Sequence, residues 1–172
     1  MTSIETVLLV PAVKLVPAVG EFRLRYAPSA RAGIPPHITV LFPFVDPSRV
    51  TEADVLGDLD RLLSDSAAFD YVLAEVREFE QGVLYLAPEP AERFIEMTDA
   101  ASAHFGIKPF GGAYPTVIPH LTVTESAGAG ERKRIGSLLG RELPLAARAS
   151  EVWVMVGSNQ STWTTVHKVQ LA

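Results

Sequence analysis

One five-residue pattern occurs twice in this chain, as Pro36-His37-Ile38-Thr39-Val40 and as Pro119-His120-Leu121-Thr122-Val123, with the copies 83 residues apart in a chain of 172. A β-strand turns successive side chains to opposite faces, so His37 and Thr39 face one way and Ile38, Val40 and Phe42 the other. In the second copy His120, Thr122 and Thr124 oppose Leu121 and Val123. A proline biases the residue before it toward extended backbone and is tolerated at a strand's first position. Each copy is therefore expected to be an amphipathic strand that buries its apolar residues and presents a His-Thr pair. Threonine alone could reflect strand propensity. A histidine two positions before it, twice, points to one active site divided between two halves.

Histidine titrates near neutrality, so one imidazole can be neutral while another is charged. Two of them across a phosphodiester supply a general base and a general acid. The hydroxyls of Thr39 and Thr122, on the same faces, can donate to nonbridging phosphate oxygens as charge develops there. The competing arrangement is a metal held by both histidines and a carboxylate, Asp46 or Glu125. Glu125 lies at odd spacing from His120 and is expected on the opposite face of a straight strand. No phosphate-cradling glycine loop or serine nucleophile elbow is present in the sequence.

The paired His-x-Thr motifs, together with the run Arg31-Ala32-Gly33-Ile34-Pro35-Pro36-His37-Ile38-Thr39-Val40-Leu41-Phe42-Pro43-Phe44, resemble the two-histidine (2H) phosphoesterase superfamily and its 2′-5′ RNA ligase branch. The resemblance implies two lobes about a pseudo-two-fold axis, with both motifs facing one cleft. It also implies metal-independent action on 2′,3′-cyclic phosphates or 2′-5′-linked nucleotides and RNA ends, with no cofactor. His37 and His120 would be catalytic, and Thr39 and Thr122 would hold the phosphate. Many members carry a basic residue near the second motif, whereas Thr116-Val117-Ile118-Pro119 supplies none here. Arg31 is the candidate to replace it. Tyr114, Phe42 and Tyr85 could stack on a base, as aromatics do in single-stranded sites; Phe42 and Tyr85 also read as core, while Tyr114 lies in a glycine-rich loop. The alternatives from other classes are a non-catalytic nucleotide- or phosphate-binding module and a structural partner-binding protein.

The element pattern is that of an α+β fold. Strands are expected over Thr6–Val10, Pro36–Phe42, Phe69–Glu78, Val83–Ala87, Pro119–Glu125, Leu143–Ala149, Val152–Val156 and Thr162–Leu171. Helices are expected over Pro17–Arg25, with Leu15, Val19, Phe22 and Leu24 as its apolar face, after a Ser48 or Thr51 cap, over Pro88–Phe105, and over Gly130–Leu139. Arg31–Ile34 reads as a loop. The recurrence of helix and strand around each motif indicates an imperfect duplication within a single domain of residues 1–172, with antiparallel or mixed sheets.

Composition narrows the partners. The net charge is −5, from 15 Lys and Arg against 20 Asp and Glu. A protein gripping a long duplex needs a basic stripe, and the one dense basic cluster, Arg132-Lys133-Arg134, reads as a solvated helix face. A small nucleotide or an RNA end is the expected partner of a monomeric protein. The absence of cysteine excludes disulfides and thiolate metal sites. The apolar run Val7–Val13 is far short of the roughly 20 residues that span a bilayer and has no basic flank of the signal-peptide kind, so a cytoplasmic location without membrane contact is expected. Of the remaining histidines, His104 suits the last turn of a helix and His167 lacks the threonine of the motif. Trp153 and Trp163 read as core.

Overall fold

The computed structural model describes residues 3–172. Eight strands form two four-stranded sheets, both antiparallel throughout. The first sheet has the order β2-β1-β7-β8, from β1 (Glu5–Pro11), β2 (His37–Leu41), β7 (Glu151–Gly157) and β8 (Thr164–Gln170). The second has the order β5-β4-β3-β6, from β3 (Phe69–Glu78), β4 (Leu84–Glu89), β5 (Leu121–Thr124) and β6 (Leu145–Ala149). The motif strands β2 and β5 thus occupy corresponding edges, the pseudo-symmetry expected of a duplicated α+β fold. The lobes do not coincide with the two halves of the chain, because β7 and β8 return to complete the first sheet.

The helices are α1 (Val16–Tyr26), the single turn α2 (Pro28–Arg31), α3 (Ala53–Leu63), α4 (Glu92–Phe105) and α5 (Ala129–Gly140). In α3 the residues Val55, Leu59 and Leu63 recur at helical spacing and are almost wholly buried. Each contributes about 1.5–3 kcal/mol of apolar transfer energy. Gly106 closes α4 in the left-handed conformation at φ 66°, where a glycine avoids the Cβ penalty.

Several local expectations are corrected. Leu15, just before α1, and Val19 within it are buried and Phe22 packs against the core as read from the sequence, but Leu24 is exposed and Arg23 is buried in its place. Arg31 ends a helical turn and does not lie in a loop. Glu52, without a side-chain cap, precedes α3. Ser48 instead donates its hydroxyl and its backbone N–H to Asp46. Pro88 belongs to β4, and α4 begins only at Glu92. Trp153 is half-buried, with the Lys168 ammonium 4.4 Å above its ring, while Trp163 is buried just before β8.

A cluster of Val7, Leu9, Ala32, Ile34, Met155 and Trp163 covers one face of the first sheet. Trp163 donates its backbone N–H to Ala32 O at 2.7 Å, which ties the end of β7–β8 to the segment before the first motif. Gly157 makes this possible: a Cβ there would sit 2.3 Å from Thr162 O and 2.6 Å from Trp163 Cα. Gly157→Ala is therefore expected to cost about 1–3 kcal/mol, read as a lowered Tm in thermal denaturation. A wild-type Tm would show that the loop yields freely. Among the described residues, no helix is long and apolar enough to cross a membrane.

Candidate active site

The strands β2 and β5 lie against each other, each braced by a helix that falls in sequence between two strands of the other sheet. The helix α4 precedes β5 yet packs on β2, where the Thr98 hydroxyl donates to Val40 O at 2.7 Å. The helix α1 precedes β2 yet packs on β5, where the Arg23 guanidinium donates to Thr122 O at 2.5 Å. This reciprocal bracing brings the two motifs together across 83 residues of sequence.

The imidazoles are held alike. Nδ1 of His37 lies 2.8 Å from Pro35 O, and Nδ1 of His120 lies 2.7 Å from Ile118 O. A carbonyl only accepts, so each Nδ1 carries the proton and each Nε2 is left as the ring's free nitrogen. Ile38, Val40, Leu121 and Val123 are buried, while His37, Thr39, His120 and Thr122 are half-buried, as the alternation predicted. Thr124 departs from it: it is fully buried and its hydroxyl has no hydrogen-bond partner among the described residues.

His120 is further fixed by two rings. Its imidazole meets Phe79 edge-on at 5.0 Å and Tyr85 at 5.5 Å, and these two rings stack at 4.2 Å. Tyr85, opposite Thr122 in the β4–β5 register, is buried as expected of a core residue. Beside this group opens a cavity of about 570 Å³ lined by His120, Thr122, Phe79, Phe110, Tyr114, Glu80, Gln81 and Glu125, among others. Phe110 links it to the first motif: its ring lies 6.2 Å from Phe42 and 5.6 Å from the exposed Tyr114, and its N–H donates to Phe42 O at 2.6 Å. Tyr114 and Phe42 thus belong to one aromatic group. Glu125 lines the cavity with His120, where a straight strand would have turned it away. Just past β5, the Glu125 N–H donates to Tyr26 O.

His37, Thr39 and Phe42 are not among the lining residues, and neither is Arg31. Its guanidinium donates to Leu24 O and Arg25 O at the end of α1. The cation nearest both motifs is Arg23, which sequence reasoning missed because it reads as a solvent residue between two apolar ones. Phe79 and Phe110 were missed as well, and Glu125 was weighed only as a metal ligand and expected on the opposite face. Only the glycine-rich loop around Phe110 carried a signal, and it was read through Tyr114.

Burial, reinforced by the charge of Arg23 and by His120, pushes the His37 imidazole down to about 3; the carbonyl of Pro35 opposes. Burial also lowers His120, against the carbonyl of Ile118. Glu125 is raised by desolvation, offset by Arg23 and Arg31. Both imidazoles are therefore neutral at rest near pH 7. His104 and His167 stand apart, paired to Asp58 at 3.1 Å and to Asp60 at 2.7 Å. Among the described residues no three histidine or carboxylate side chains converge in a way that could hold a metal ion. Asp46 is occupied by Ser48.

Residues 11–160 match the family model of the 2′-5′ RNA ligase superfamily. The fold is similar to that of E. coli LigT in its apo form, at 13% identity and TM-score 0.64 over 100% of this chain and 99% of that one. It is also similar to E. coli LigT complexed with 3′-AMP, at 16% identity and TM-score 0.64 over 98% of each chain. TT0787 of Thermus thermophilus shares the fold at 16% identity and TM-score 0.63, over 96% of this chain and 97% of that one. No curated protein matches the sequence.

Proposed function

Because this chain belongs to the 2′-5′ RNA ligase superfamily, we propose that it hydrolyses phosphodiesters of small nucleotides or RNA ends, 2′,3′-cyclic phosphates or 2′-5′ linkages, by acid-base catalysis between His37 and His120 without a metal. The observation that carries this reading is the matched pair of imidazoles, each with Nδ1 tied to the carbonyl two residues earlier and Nε2 without a hydrogen-bond partner among the described residues.

One neutral Nε2 takes a proton from water as its oxygen attacks phosphorus. The P–O bond to a ribose oxygen breaks, and the other imidazole, protonated, delivers a proton to that oxygen. The product is a phosphomonoester beside a free ribose hydroxyl. Thr39 and Thr122 donate to the nonbridging oxygens as their charge grows. Phe110, Tyr114 and Phe42 offer the base an aromatic wall. A nucleotide of the size of 3′-AMP, bound in one LigT structure, suits a cavity of about 570 Å³. Attack by a ribose 5′-hydroxyl in place of water, with the P–O3′ bond of a 2′,3′-cyclic phosphate breaking and the 3′-oxygen taking the proton, would form a 2′-5′ linkage. In ~55 M water, however, mass action favours hydrolysis.

The test is an assay of purified, EDTA-treated protein against a panel of cyclic and 2′-5′-linked nucleotides over a range of pH. Turnover is expected, with a bell-shaped profile belonging to the coupled pair. The base must be neutral and the acid protonated. Burial lowers both imidazoles below the ordinary 6.5, so both limbs of kcat/KM move down and the optimum falls on the acidic side of neutrality. Activity abolished by chelation and restored by Zn²⁺ or Mn²⁺ would overturn the two-histidine mechanism. Binding without turnover would leave a nucleotide-binding module.

A further inference from the structure

Arg23 is 1% exposed, yet among the described residues no carboxylate hydrogen-bonds to it. All its acceptors are backbone carbonyls of the two motif segments: Nη1 donates to Thr122 O, and Nη2 to Ile34 O at 3.3 Å and Pro35 O at 3.4 Å. Its Nε is buried without a partner among the described residues. Withdrawing a guanidinium from water is costly unless it is fully paired, and this one is not. Burial lowers it to about 10, offset by Glu125, so it remains charged at neutral pH. A methionine or leucine would fill the same space without that penalty.

What the arginine does that an apolar residue cannot is join the two halves of the site. Pro35 O accepts from both His37 Nδ1 and Arg23 Nη2, so the guanidinium and the first imidazole share one anchor. Thr122 O is the carbonyl of the second motif's threonine. We propose that Arg23 is a positioning residue for the two-histidine site: its one buried guanidinium fixes the backbones of both motif segments relative to each other and places a permanent positive charge beside them. This supplies, from α1, the cation that the segment before the second motif lacks. The inference rests on the two-histidine reading, but its first measurement does not depend on turnover.

The charged and titratable groups acting on this corner are Arg23 from α1, Arg31 from α2, His120 before β5 and Glu125 after it. Titration of the His37 ring protons by NMR in wild type, Arg23→Met and Arg23→Lys isolates the first of them. Arg23→Met is expected to raise the His37 midpoint by about one unit or more, the size of a unit charge at several ångströms in a partly screened site. Arg23→Lys keeps the charge and should keep the midpoint. An ammonium cannot span both segments as the planar fork does, so its kcat should fall about tenfold or more with KM changed far less. An unmoved midpoint in Arg23→Met would overturn the proposal whatever the activity. If that variant does not fold, Arg23→Lys decides, and a wild-type kcat there would overturn it. A moved midpoint in a protein that turns over no phosphodiester would leave the role of Arg23 standing and remove the proposed reaction.

Discussion

Replacing His37 or His120 by alanine is expected to lower turnover of a phosphodiester by about 10²–10⁴-fold, the usual contribution of a positioned acid or base. Folding should survive, because each side chain is half-buried and makes one hydrogen bond to a carbonyl, worth about 1 kcal/mol net. The pH dependence of stability separates the two variants from a general loss of structure. His37 is held at about 3 when folded against 6.5 in a free imidazole, so on acidification the unfolded chain takes up the proton first. Wild-type stability is then complete above pH ~6.5 and is lost as pH falls toward ~3. His37→Ala removes that loss, so its Tm should decline less over this window. Near-full activity in either variant would end the paired acid-base role.

Thr39→Val and Thr122→Val are expected to lower kcat by about 10–10³-fold each, the range for single donors to a developing oxyanion. Valine has the same shape and good strand propensity. Thr39 is half-buried opposite Leu9 of β1, and Thr122 opposite Tyr85 of β4, so neither change should disturb the ladder. If the hydroxyls act on different oxygens of one phosphate, the double variant should lose close to the product of the two single effects; sharing one oxygen would give less. Steady-state kinetics with a cyclic nucleotide reads both. A valine pair with unchanged kcat would show that the threonines are strand formers only.

The motif strands were legible because period-two alternation is local: Ile38 and Val40 against His37 and Thr39 need nothing but β-geometry. The long apolar stripe of α3 and the glycine stop of α4 were legible for the same reason. What failed was set by tertiary packing. Leu24 and Arg23 exchange roles because α1 leans on β5, which its own sequence does not foretell. Glu125 reaches the cavity because β5 ends at Thr124 and the chain turns toward Tyr26 O, so odd spacing no longer means opposite faces. Phe79 becomes a support for His120 only through the fold of the β3–β4 hairpin.

The return of β7 and β8 to the first sheet governs when this protein can become competent during synthesis. β1 pairs with β2 early, but its other edge stays open until residues beyond 150 emerge, some 140 positions later. Loop closure over such a separation is slow, and until it occurs β1 offers an unpaired strand edge to other chains. The second sheet, built from residues 69–149, suffers no such delay. A nascent chain should therefore carry a finished second lobe with an unfinished first one, and a fragment ending before β7 should aggregate even though both histidines have been made.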